Sequence, residues 1–141
     1  MSKLILIVDD EESIRTSLKG ILEDEGYQVL LAENGADALD LIREEVPDLV
    51  LLDIWMPGMD GIQTLERIRN LALDLTVVMM SGHGTIETAV KATRIGAFDF
   101  IEKPFSLDKL LITTANALNY KELRKEDRKS TRLNSSHDQI S

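Results

Sequence analysis

Residues 49–61 read LVLLDIWMPGMDG. Four apolar residues, Leu49–Leu52, run without polar alternation, as in a strand buried on both faces. The run stops at an acid, Asp53. Pro57 and Gly58 then mark a turn. Beyond them Ile62, Leu65 and Ile68 recur at the spacing of one helix face. A buried strand, a loop and an amphipathic helix follow one another directly.

The same unit recurs on either side. Further apolar runs lie at Leu4–Val8, Gln28–Ala32, Thr76–Met80 and Phe98–Ile101. Helical spacing appears at Ile14, Leu18, Ile21 and Leu22, and at Ala38, Leu39 and Ile42. It returns at Ile86, Ala89, Val90 and Thr93, and at Leu107, Leu110, Leu111 and Thr114. Strict βα alternation implies parallel strands joined by right-handed crossovers, with helices on both faces. The expected architecture is α/β: a doubly wound (βα)5, flavodoxin-like three-layer sandwich with sheet order 2-1-3-4-5.

At 141 residues the chain is about one domain long, and 43% hydrophobic content supports one ordinary core. Aromatics are only 4%, so that core is aliphatic. The absence of cysteine excludes a disulfide scaffold, an iron–sulfur cluster and a thiol nucleophile. Two histidines, His83 and His137, argue against a histidine metal site; His83 is read as a solvated loop residue. A net charge of −9 disfavours nucleic acid and anionic membrane as direct partners. No apolar run reaches the roughly 18–20 residues of a spanning helix, and MSKLILIVDD lacks a signal-peptide pattern, so a cytoplasmic protein is expected.

Charge divides the chain. Residues 1–119 hold 10 basic and 21 acidic side chains, a net of −11; residues 120–141 hold 6 and 4, a net of +2. Residues 1–119 are read as the domain. Residues 120–141 are read as a helix extension fading into a disordered tail, with STRLNSSHDQIS as a linker remnant or appended stretch.

Asp9 and Asp10 follow the first strand run, and Asp53 follows the third. In the 2-1-3-4-5 order these carboxyl ends are neighbours at the switch point. Three crowded carboxylates repel one another, and a hard divalent cation such as Mg²⁺ relieves them. The fourth run ends at Ser81, and Lys103 stands just past the fifth, before Pro104. Carboxylates, a hydroxyl and an ammonium around one crevice suit a phosphoryl group. Asp53 can attack phosphorus to form an aspartyl phosphate. Each residue also has a plainer reading. Asp9 and Asp10 suit a helix N-cap, Asp53 a turn, Ser81 a loop and Lys103 a solvated surface. Glu11 and Glu12 suit the helix dipole.

Asp9-Asp10, Asp53 with Met56–Gly61, Ser81-Gly82 and Lys103-Pro104-Phe105 together resemble the receiver domain of two-component response regulators, the CheY-like family. SGHGTIETAVKATRIGAFDFIEKPF further resembles receivers of the NtrC/NtrX type, found in sigma-54-dependent regulators. The resemblance implies Asp53 as phosphoacceptor from a sensor histidine kinase. It implies Mg²⁺ on Asp9, Asp10, Asp53 and the main-chain carbonyl of Trp55. It gives Lys103 and Ser81 to the phosphoryl oxygens, and Ser81 with Phe100 to the switch. The helix 4, strand 5 and helix 5 face, within residues 84–119, would meet a partner or a second copy in a homodimer. Activity would be confined to the chain's own phosphorylation and dephosphorylation, with the output in transcription. Downstream ATPase and DNA-binding domains are expected in a full-length protein of this type.

Trp55 and His83 would flank the path of water to the phosphoryl group, and the bulky indole suggests slow self-dephosphorylation. Two other classes remain. A phosphohydrolase of the haloacid dehalogenase kind needs a second aspartate where Trp55 stands. A flavodoxin-like cofactor binder needs a glycine-rich phosphate loop where the acids stand.

Overall fold

A computed structural model describes residues 2–71, 74–82 and 86–134; for residue 86 and residues 121–134 it describes the backbone course alone. Ten elements alternate: β1 (Leu4–Val8), α1 (Glu12–Asp24), β2 (Gln28–Ala32), α2 (Gly35–Glu44), β3 (Leu49–Asp53), α3 (Gly61–Asn70), β4 (Thr76–Ser81), α4 (Ile86–Ile95), β5 (Asp99–Glu102) and α5 (Leu107–Asn134). All strand pairs are parallel, in the order β2-β1-β3-β4-β5. The flavodoxin-like order expected from the alternation is the one observed.

The two-residue period of the strands divides the core in two. Leu6, Val8, Val50, Leu52, Val77 and Met79 pack with Ala38, Leu39 and Ile42 of α2, Leu65 and Ile68 of α3, and Ala92 of α4. Ile5, Ile7, Leu49, Leu51, Val78, Met80 and Ile101 pack with Leu18 and Leu22 of α1 and Leu110, Ala117 and Leu118 of α5. The central strands β1, β3 and β4 are buried throughout, whereas the edge strands β2 and β5 are partly open.

Four details differ from the reading of the sequence. β3 and β4 each run one residue further, so Asp53 pairs with Met80 and Ser81 with Glu102 in the ladder. β5 is offset by one residue, and the Phe98 amide donates to the Val77 carbonyl just ahead of it at 2.7 Å. On α4, Val90 is 45% exposed and Thr93 faces out, while Ala92 is buried. The inward stripe is therefore Ala92 with the half-buried Ile95, because a small side chain lets α4 approach. Leu107 is likewise exposed in the first turn of α5. Helix α5 continues past Asn119 to Asn134; the tail over residues 135–141 and the loop residue His83 lie outside the described residues.

The loop after β3 is fixed by α3. Asp60 caps that helix: its carboxylate accepts from the Gln63 amide at 2.9 Å, and the Gln63 side chain accepts from the Asp60 amide at 3.0 Å. Next to it, the Gly61 amide donates to the Ile54 carbonyl at 2.8 Å. A Cβ on Gly61 would strike the Asp53 carbonyl and come within 2.6 Å of the Ile54 Cα. Both are backbone atoms of a buried strand end, so neither can yield. Gly61→Ala should cost about 1–3 kcal/mol by overpacking, read as a lower midpoint in urea unfolding followed by circular dichroism.

Candidate functional site

The C-terminal edge of the sheet gathers the polar residues. Asp9 follows β1 directly, and its amide still bonds the Ala32 carbonyl at 3.1 Å. Its side chain is fully buried. One carboxylate oxygen accepts from the Glu11 amide at 2.9 Å, the other from Lys103 Nζ at 2.7 Å. The N-cap position of α1 is Glu11, not Asp9 or Asp10, so the plain capping reading of the pair is not met, although the Asp9 carboxylate accepts from the amide of that cap residue. It serves the lysine as well.

Lys103 reaches two further acids. Its Nζ lies 3.5 Å from Asp53 Oδ1 and 3.8 Å from Glu11 Oε1. Its own amide donates to the Ser81 carbonyl at 2.8 Å, and the Lys103–Pro104 peptide is cis. Asp9, Asp10 and Asp53 each offer an oxygen within 4.8 Å of the others, Asp10 from the solvent side. Ser81 is fully buried at the end of β4. Five sequence-derived candidates therefore occupy one edge of the sheet.

Two others sit further out. Phe100 is half-buried and packs on the side of the sheet covered by α2, α3 and α4. The Trp55 indole is 51% exposed, while its backbone hydrogen-bonds the Asp53 carboxyl. The sequence reading missed Arg15, whose Nη1 donates to the Asp9 carbonyl at 2.7 Å. It also missed Glu11 as a neighbour of Lys103, having given it only to the helix dipole. Arg15 left no signal of its own in the sequence, because its partner is a main-chain oxygen.

Burial pushes the Asp53 carboxyl up to about 6 from its ordinary 3.8, and the Asp9 charge pushes the same way. The Lys103 charge and the Trp55 backbone hydrogen bond pull it down without prevailing. For Lys103, burial favours the neutral amine. The Asp9 hydrogen bond and the charges of Asp53, Asp9 and Glu11 outweigh it and hold the ammonium above its ordinary range. One lysine among these acids leaves the cluster net negative. The donors are hard carboxylate oxygens on rigid strand ends, as Mg²⁺ or a similar hard divalent cation requires. The residues present fit such an ion.

Residues 5–115 match the response regulator receiver domain family. The chain belongs to that family. The receiver is 46% identical to the nitrogen assimilation regulatory protein NtrX of Azorhizobium caulinodans, over 99% of this chain and 31% of that protein. It is 41% identical to sporulation initiation phosphotransferase F of Bacillus subtilis, over 78% of this chain and 89% of that protein. The crystal structure of NtrX from Brucella abortus superposes with a TM-score of 0.86 at 46% identity, covering 92% of this chain and 29% of that one. This receiver thus spans under a third of the NtrX proteins it matches. Among the described residues no helix is long and apolar enough to cross a membrane.

The raised Asp53 pKa has a sign. The folded receiver binds this proton more tightly than the unfolded chain, so stability is fully present below pH 3.8 and is lost as pH rises through about 6. Two units correspond to about 3 kcal/mol. Metal-free Asp53→Asn should therefore be more stable than the unsubstituted receiver by about that amount at pH 7–8. The difference should close as pH falls toward 4. Urea unfolding in chelator at both pH values measures it.

Proposed function

We propose that this receiver is a phosphorylation-dependent switch fed by a sensor histidine kinase. The observation that carries the reading is Lys103 Nζ lying between Asp9 and Asp53, 2.7 and 3.5 Å away, at the edge where three carboxylates converge. Asp53 Oδ attacks the phosphorus of a phosphohistidine; a P–O bond forms as the P–N bond breaks, and the imidazole leaves. Lys103 pairs with a phosphoryl oxygen, and Ser81 donates its hydroxyl to another. Asp9, Asp10, Asp53 and the Trp55 main-chain carbonyl would hold Mg²⁺. When bound, that ion supplies neutralising charge for the phosphoryl oxygens.

Output follows from a shift between two states of the α4–β5–α5 face, which the phosphoryl group biases through Ser81 and Phe100. Val90, Leu107 and Ile112 are exposed there, which suits a partner or a second copy. Control of transcription in the cytoplasm, through downstream ATPase and DNA-binding domains, belongs to the same proposal, and a relative named as a transcriptional regulator supports its transcriptional part. The transcriptional regulatory protein ZraR of Klebsiella oxytoca is 44% identical over 84% of this chain. The likeness to a phosphotransferase of nearly the same length as the matched region favours a second reading, a receiver that relays its phosphoryl group onward.

Incubation with acetyl phosphate and Mg²⁺ should add one phosphoryl group per chain, seen by intact mass. Asp53→Asn should prevent it, and para-nitrophenyl phosphate should not be turned over. An unlabelled chain would overturn the switch reading. Turnover of the ester would favour a phosphohydrolase. Transfer to a histidine phosphotransfer domain would mark the relay. In the same assay Trp55→Asn should shorten the acyl phosphate's lifetime if the indole restrains water.

A further inference from the structure

Asp9 leaves one buried group that the sheet cannot satisfy. Its amide completes the last rung to Ala32, and its carboxylate takes the Glu11 amide and Lys103. Its carbonyl lies past the end of the ladder, where the register stops at Val8 with Ala32 and with Leu52. Arg15, one turn into α1, fills the need at 2.7 Å. Its side chain is only 15% exposed, and its second nitrogen lies 4.0 Å from Glu33, just after β2. The guanidinium therefore ties the turn after β1 to α1 and to the loop after β2.

The bond acts on Asp10 through geometry. The Asp9 carbonyl shares a rigid plane with the Asp10 amide and Cα. Holding the oxygen fixes the plane, and with it the position of the Asp10 Cα from which the side chain departs. Asp10 is the most exposed of the three clustered carboxylates. We infer that Arg15 is a positioning residue for cation binding, setting the Asp9–Asp10 peptide so that Asp10 joins Asp9 and Asp53. The inference rests on the metal-binding reading above.

Positioning and charge predict opposite signs. The guanidinium is a positive charge beside a cation site, so its removal by electrostatics alone tightens binding. Its removal as a positioning group loosens binding, by about tenfold or more if it resembles other supporting hydrogen bonds around metal ligands. The experiment titrates Mg²⁺ into the full chain while following Trp55 emission, for the unsubstituted chain, Arg15→Lys, Arg15→Gln and Arg15→Met. Metal-free melting curves confirm that each is folded. Lys keeps charge and a donor, Gln keeps a donor alone, and Met keeps neither.

The unsubstituted chain is expected to bind most tightly and Met most weakly, with Lys and Gln, which each keep a donor, between them. Met binding as tightly as the unsubstituted chain, or more tightly, overturns the inference. If Met does not fold, Lys decides the matter, since it keeps the charge and loses the guanidinium geometry: binding equal to or tighter than the unsubstituted chain overturns the inference. A saturable response in the unsubstituted chain that is the same in every variant overturns the inference alone. No response in the unsubstituted chain overturns the metal-binding reading and this inference with it.

Discussion

The Lys103–Asp9 contact is the interaction on which the site depends. Parallel strands end side by side, so a doubly wound sheet brings the residues after β1, β3 and β5 to one edge whatever their charge. Here the edge carries three acids, two of them almost wholly out of water. Bare carboxylates so placed would repel one another and push the strand ends apart. A single ammonium, joined to the sheet by its own amide, lies against two of them. It compensates them only in part: burial, helped by the Asp9 charge, raises the Asp53 carboxyl further than the ammonium lowers it.

The cluster keeps a net negative charge that folding must accommodate. The two aliphatic layers above and below the sheet supply the stability that the edge gives away.

Much of this was legible in the sequence, for physical reasons. The buried strand β1 shows as an unbroken apolar run and was read to the residue, as was the partly open edge strand β2. β3 and β4 were read one residue short because hydrophobicity stops at Asp53 and Ser81, whereas backbone pairing does not. The inward face of α4 was misread because Val90 is apolar yet turned to solvent, and the helix approaches through Ala92 instead. Asp9, Asp10, Asp53, Ser81 and Lys103 were legible because strand ends converge. Arg15 was not: its bond goes to a main-chain oxygen, which leaves no pattern of side-chain types. Gly61 as a packing constraint was hidden likewise, since its neighbours are backbone atoms.

The amide of Lys103 is bonded to the carbonyl of Ser81, and Ser81 with Glu102 forms the last register pair between β4 and β5. The main-chain mounts of the hydroxyl and the ammonium thus form one bracket, and displacing either alone breaks the hydrogen bond that joins them. The side chains beyond keep their own rotations.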